Sequence, residues 1–328
     1  MFKHQNYRSL AGFLAGFYRW SKFGDSPAIS EQFLFGHREI LLRILDFPQN
    51  VVLLGRLQHG WGIDLKSFSD IHLTSFHKGR PIPYLVWNEY DAQFLKSCNV
   101  GSVISVGAPW LYLLEHQDKF PELDCTSKEK EGVLFFPSHS FHDLPAIPQS
   151  IHTFKHIREV FASERITTVL YWLDFVDPKI KAHYDDLSDS VVCMGYRGAP
   201  WNLAYGSIEG GRINFLIELV KKIRQHKYVV LDHIGTALWY SLSLRKDVLL
   251  TRNLNISSSY LERALSEQSN VSSDFKPRSL YLQELINMKG QVIYGSENYF
   301  YANQELGYDK VKSGQGERIL RQLRTQRI

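Results

Sequence analysis

The chain has 328 residues, room for two domains of ordinary size. Its 44% hydrophobic and 22% charged residues are the mixture of a soluble globular protein. A net charge of +4 suits an anionic ligand or membrane surface and argues against bulk nucleic-acid binding.

Short apolar runs alternate with helical stretches along the chain. In the first part, strands are expected at 51–55, 71–76, 84–87 and 103–107. The segment 117–131, QDKFPELDCTSKEKE, is polar and charged and reads as a linker. Beyond it, strands are expected at 132–137, 168–173, 190–196, 227–232, 247–251 and 291–295. These runs are rich in β-branched residues and nearly continuous, the pattern of strands buried on both faces of a parallel sheet. Between them, Phe215, Leu216, Leu219, Val220 and Ile223 fall on one face of a helix starting at Asn214. Leu280, Leu282, Leu285 and Ile286 mark another, stopped at Gly290. The alternation predicts an α/β protein with two doubly wound, Rossmann-like halves facing a cleft, at 1–120 and 131–308, and a basic tail at 309–328.

In open α/β sheets, ligands sit beyond the carboxyl ends of the strands. In the first half those ends lead into Gln58-His59-Gly60-Trp61, His77-Lys78-Gly79-Arg80, Asn88-Glu89 and Pro109-Trp110. In the second half they lead into Ser138-His139-Ser140, Asp174, Tyr196-Arg197 and Asp232-His233-Ile234-Gly235-Thr236. The last of these combines a strand end, a glycine turn and a helix start. Free N–H groups and the helix dipole favour a phosphate there. Gly235 would let the backbone come close, and the Thr236 hydroxyl could add a hydrogen bond; a plain turn and N-cap use the same residues. Arg197 suits bidentate pairing with phosphate, or a surface ion pair. Ser138, His139 and Ser140 suit a pyrophosphate or ribose, or a capped loop.

On the other side of the expected cleft, His59 titrates near neutral pH and suits proton abstraction from a hydroxyl; a structural histidine is the plain alternative. Glu89 and Asp174 are rival carboxylate bases or nucleophiles, with helix caps or ion pairs as their plain readings. There is no GxGxxG motif and no P-loop. His139, His142 and Asp143 lack HExxH spacing and a cysteine partner. A metal-independent site without a bound cofactor is expected.

Two such halves, an early His-Gly loop, a strand-end arginine and a Gly-Thr helix start resemble the GT-B glycosyltransferases. More narrowly, TVLYWLDF, VVCMGYR and HKYVVLDHIGTALWYSLSLRKDV resemble the C-terminal halves of bacterial transferases of capsule and O-antigen synthesis, including some that use CMP-linked acidic sugars such as Kdo or sialic acid. The early Gln-His-Gly is similar to a His-Gly loop of glycerophosphate polymerases of teichoic acid synthesis. The resemblance covers roughly 132–250, and the His-Pro pair of several bacterial sialyltransferases is absent. It implies a nucleotide-sugar donor in the second half, held by Ser138, His139, Ser140, Tyr196, Arg197, His233, Gly235 and Thr236. It implies a glycan or lipid-linked acceptor in the first half. Glycerophosphate transfer, nucleotide-sugar epimerisation and non-enzymatic carbohydrate binding are the alternatives on the same fold.

The three cysteines, Cys98, Cys125 and Cys193, form no CxxC pair, and their odd number points to a reducing compartment. No stretch reaches the ~18 apolar residues of a membrane span. The run from Leu10 to Tyr18 has no small-residue cleavage site after it, so no signal peptide is expected. A cytoplasmic protein follows. Both chain ends carry basic and apolar residues at helical spacing: Leu10, Phe13, Leu14 and Phe17 near the start, Ile319, Leu320 and Leu323 near the end. Such ends suit peripheral attachment to an anionic inner-membrane surface, or an ordinary core helix and a solvated tail.

Overall fold

The computed structural model describes residues 32, 34–48, 51, 53–61, 75–77, 80–97, 100–124, 131–138, 150–195, 215–255 and 276–323. The protein is α/β, with mixed sheets. Helix α1 (His37–Ile44) leads to β1 (Arg56–Leu57). A separate antiparallel hairpin joins β2 (Ser75–His77) and β3 (Arg80–Ile82). Then come β4 (Tyr84–Val86), α2 (Glu89–Ser97), β5 (Val103–Ser105) and α3 (Pro109–Glu115). Strands β1, β4 and β5 form a parallel sheet in that order, with Arg56 opposite Tyr84 and Tyr84 opposite Val103.

The second half opens with β6 (Glu131–Phe136), α4 (Ser150–Val160), β7 (Ile166–Leu170), α5 (Trp172–Phe175), α6 (Pro178–Leu187) and β8 (Ser190–Cys193). It continues through α7 (Phe215–Gln225), β9 (His226–His233), α8 (Thr236–Ser243) and β10 (Asp247–Asn255). It closes with α9 (Lys276–Asn287), β11 (Val292–Ile293), α10 (Gly295–Glu305), α11 (Tyr308–Lys312) and α12 (Gln315–Gln322). The sheet order is β11-β10-β9-β6-β7-β8. All neighbours are parallel except β10 and β11, so the expected parallel sheet ends in an antiparallel edge strand.

The continuous apolar runs have a direct cause. On β6, Leu134 and Phe136 face one core, with α7 and α8, while Val133 and Phe135 face another, with α4 and α6. On β9, Val229 and Leu231 join the first core and Val230 the second. Strands covered by helices on both sides have no solvent face to fill with polar residues. Helix α6 starts where the local code says it should: the Asp177 carboxylate accepts from the Lys179 and Ile180 N–H groups at 2.9 and 3.2 Å, and Pro178 follows it.

Three expectations need correction. The strand expected at 51–55 lies instead at Arg56–Leu57. The Gln32 side chain takes the backbone groups that a ladder would use, donating to the Leu53 and Gly55 carbonyls at 2.5 and 2.7 Å and accepting from the Leu53 N–H at 3.3 Å. The strand expected at 168–173 is Ile166–Leu170, because Tyr171 already precedes α5. The first part of the linker, 117–124, is two short 3-10 turns held against α1. There Lys119 reaches the Ile44 carbonyl at 2.9 Å, Glu122 pairs with Arg43 at 2.9 Å, and Phe120 and Leu123 are buried.

The halves share one core. The Trp110 ring of α3 stacks on Tyr240 of α8, with centroids 4.0 Å apart and planes at 4°, and Trp110 Nε1 donates to Ser243 Oγ at 2.9 Å. The chain then crosses back to the first half. The Ala108 N–H donates to the Leu306 carbonyl at 2.8 Å, and Arg321 donates to the Leu45 carbonyl at 2.8 Å. Leu320, on the apolar side expected of the tail, is fully buried in this core, and Ile319 and Leu323 pack against it. Through residue 323 that side is therefore turned inward. The N-terminal apolar stripe lies outside the described residues. Among the described residues, no helix is long and apolar enough to cross a membrane.

Candidate functional site

The chain leaves β6 toward β7 and β8, and leaves β9 toward β10 and β11. The carboxyl ends of β6 and β9 therefore flank the topological switch point, where open α/β sheets hold ligands. Ser138 follows β6 there, and Asp232 to Thr236 close β9 and open α8. Ser138 Oγ donates to Asp232 Oδ1 at 2.8 Å, and His233 Nδ1 lies 3.2 Å from the same oxygen. One largely buried carboxylate thus fixes a hydroxyl and an imidazole. The serine and histidine each meet the aspartate, which orients both side chains at the carboxyl ends of β6 and β9.

Asp174 lies in α5, just past β7, and is buried. Asp174 and Asp232 both act on the phenol of Tyr184, whose pKa is raised by burial first and by these two charges next. Gly235 has extended backbone that any residue can adopt, with φ at −163°. Its lack of a side chain has another cause: an added Cβ would lie 3.0 Å from the His233 ring.

The loop after β1 meets this crevice from the first half. The Trp61 N–H donates to Thr236 Oγ1 at 2.8 Å, and an added Cβ at Gly60 would lie 3.5 Å from that oxygen. The hydroxyl hydrogen of Thr236 remains able to donate. The Trp61 ring packs on Trp239 of α8 at 5.1 Å, and its Nε1 donates to Glu305 Oε2 at 2.6 Å. Two sequence segments singled out separately, Gln58-His59-Gly60-Trp61 and Gly235-Thr236, are thereby in contact.

A buried polar network braces the loop. Gln58 accepts from the Trp87 N–H at 2.9 Å and donates to the Gly60 carbonyl at 2.9 Å. Asn88 caps α2 by accepting from the Asp91 N–H at 2.8 Å and donates to the Glu305 carbonyl at 2.7 Å. The Arg278 guanidinium forks onto Glu305, reaches Asp91 Oδ1 at 3.3 Å and stacks over Tyr90. Burial raises the Asp91 pKa, Arg278 opposes the rise, and Glu305 adds to it. None of Asp91, Arg278 or Glu305 was singled out from the sequence, because they meet only through the fold.

His59 is half-buried beside Phe35, with ring centroids 6.3 Å apart, and close enough to His37 for their charges to interact. Glu89 stands apart from the crevice contacts just described. It opens α2, is 46% exposed and pairs with Lys310 at 3.3 Å. His139, Ser140, Tyr196 and Arg197 lie outside the described residues, as do His142 and Asp143. The chain matches no protein-family model and no curated protein.

Proposed function

We propose that this protein is a metal-independent glycosyltransferase of the two-Rossmann-half type, moving a sugar from a nucleotide-activated donor to a glycan or lipid-linked acceptor. The observation that carries this reading is the contact of the Gly60-Trp61 loop with Thr236 at the switch point of the larger sheet. In this reading the loop that carries His59, a candidate proton acceptor, meets the start of the helix that carries the candidate phosphate cradle.

In this reading the donor phosphates lie against the start of α8. The Thr236 hydroxyl and the helix N–H groups offset charge on the departing phosphate. The His233 ring, oriented by Asp232, offers a further polar contact. The bond from the anomeric carbon to the phosphate oxygen breaks, and a bond to the acceptor oxygen forms. His59 takes the acceptor hydroxyl proton, with Asp174 as the rival base. Arg197 and Tyr196 complete the donor contacts. A cytoplasmic enzyme at the inner membrane surface would meet a lipid-linked acceptor there.

The test is a product assay with labelled CMP-, UDP-, GDP- and dTDP-sugars and a lipid or glycan extract. Transfer from one donor is expected, and His59→Ala should lower turnover by about 100-fold, the scale of lost general-base catalysis. Transfer of a glycerophosphate unit, or epimerised donor with no transfer, would contradict the reading.

A further inference from the structure

A cavity of about 170 Å³ opens between α4 and β10. We propose that it binds the phosphate group of a small ligand, at a site separate from the β6/β9 crevice. The proposal does not depend on the donor reading.

Three side chains that line it are almost wholly buried: Thr153 is 1% exposed, Thr251 0% and His156 6%. Both hydroxyls and both ring nitrogens of His156 lack a hydrogen-bond partner among the described residues. Buried polar groups are nearly always paired, and leaving several unmade around one space is costly. Their arrangement follows from the fold. Thr251 shares the face of Leu249, two residues back along β10, and that face is the one α4 covers. Thr153 and His156 lie one turn apart on α4 and so share a helix face.

The surroundings select an anion. Lys155 and Arg252 line the mouth, against one acid, Glu159. Glu159 lies 3.7 Å from Arg252 and 3.8 Å from His156 Nδ1, so it tempers the positive charge without cancelling it. Thr153 stands in the first turn of an 11-residue helix, and the cavity runs along the flank of that helix from His152 to Glu159. Two hydroxyls, an imidazole N–H and two cations are donors suited to a tetrahedral oxyanion. The volume is well above the ~10–15 Å³ that one water needs.

The experiment titrates the full chain with inorganic phosphate, by calorimetry and thermal shift, against chloride at matched ionic strength. Saturable binding and stabilisation by phosphate alone are expected. Thr251→Val removes one hydroxyl at constant shape, and Lys155→Ala removes an exposed cation without touching the core. Each should weaken phosphate binding about tenfold, the scale of one hydrogen bond to a charged group. Gly235→Val serves as the control for the other crevice. The proposal is overturned if phosphate acts no better than chloride, as it would were the cavity filled by water. It is also overturned if both cavity variants bind as the native chain does, or if Gly235→Val abolishes binding.

Discussion

His37 is fully buried beside His59, and its pKa is lowered to about 3, first by burial and then by the His59 charge. The unfolded chain takes up a proton near pH 6.5 that the folded chain refuses. Stability is therefore present above that pH and is lost as pH falls from there toward 3. At pH 5 the loss from this residue is about 2 kcal/mol. His156 and His226 are also lowered by burial and act with the same sign. His37→Gln should flatten the acid limb of urea-unfolding free energy against pH, and an unchanged limb would show that another group sets it. Arg278→Met tests the buried network. It leaves the Asp91 and Glu305 carboxylates without their cation, and unfolding measurements should show a loss of about 3–5 kcal/mol. The sequence could not reveal this network, because Asp91 and Arg278 are 187 residues apart and no spacing rule links them. Gly235 and Thr236 were readable as a turn and helix start after a strand, and the structure has that turn and helix after β9. What the sequence could not reveal is that Trp61 and Thr236 touch.

Among the elements, the C-terminal helices depend on one close approach. Gly307 has φ at +75°, and an added Cβ would fall on the Trp87 carbonyl oxygen. Gly314 has φ at +66° with nothing within 4 Å. Gly314→Ala should therefore cost only the left-handed backbone penalty, about 1 kcal/mol. Gly307→Ala should cost roughly 3 kcal/mol, because it also pushes α10 and α11 from the first half. Equal melting temperatures for the two variants would contradict the packing described for α10 to α12. The strands of the larger sheet were legible because burial on both faces leaves unbroken apolar runs. The first strand was misplaced because a distant side chain, Gln32, occupies the backbone groups before it.

At the scale of the whole molecule, two α/β halves are joined by a common core and by a tail that returns to the first half. Strand and helix alternation in the sequence announced the α/β class. The shared core was not legible, because Trp110 and Ser243, bonded through it, are 133 residues apart. The joined halves bring the loop after β1 against the switch point of the larger sheet, and the functional reading rests on that meeting. Nucleotide binding tests it most directly. In a thermal-shift titration with CMP, UDP, GDP and dTDP, one nucleotide should stabilise the protein by about 2.7 kcal/mol at 100 times its dissociation constant. Gly235→Val, whose side chain would press on His233 while its extended backbone remains allowed, should abolish that shift without unfolding the chain. A folded Gly235→Val protein that still binds as tightly, or a native protein that binds none of the four, would contradict the placement of a nucleotide at this crevice.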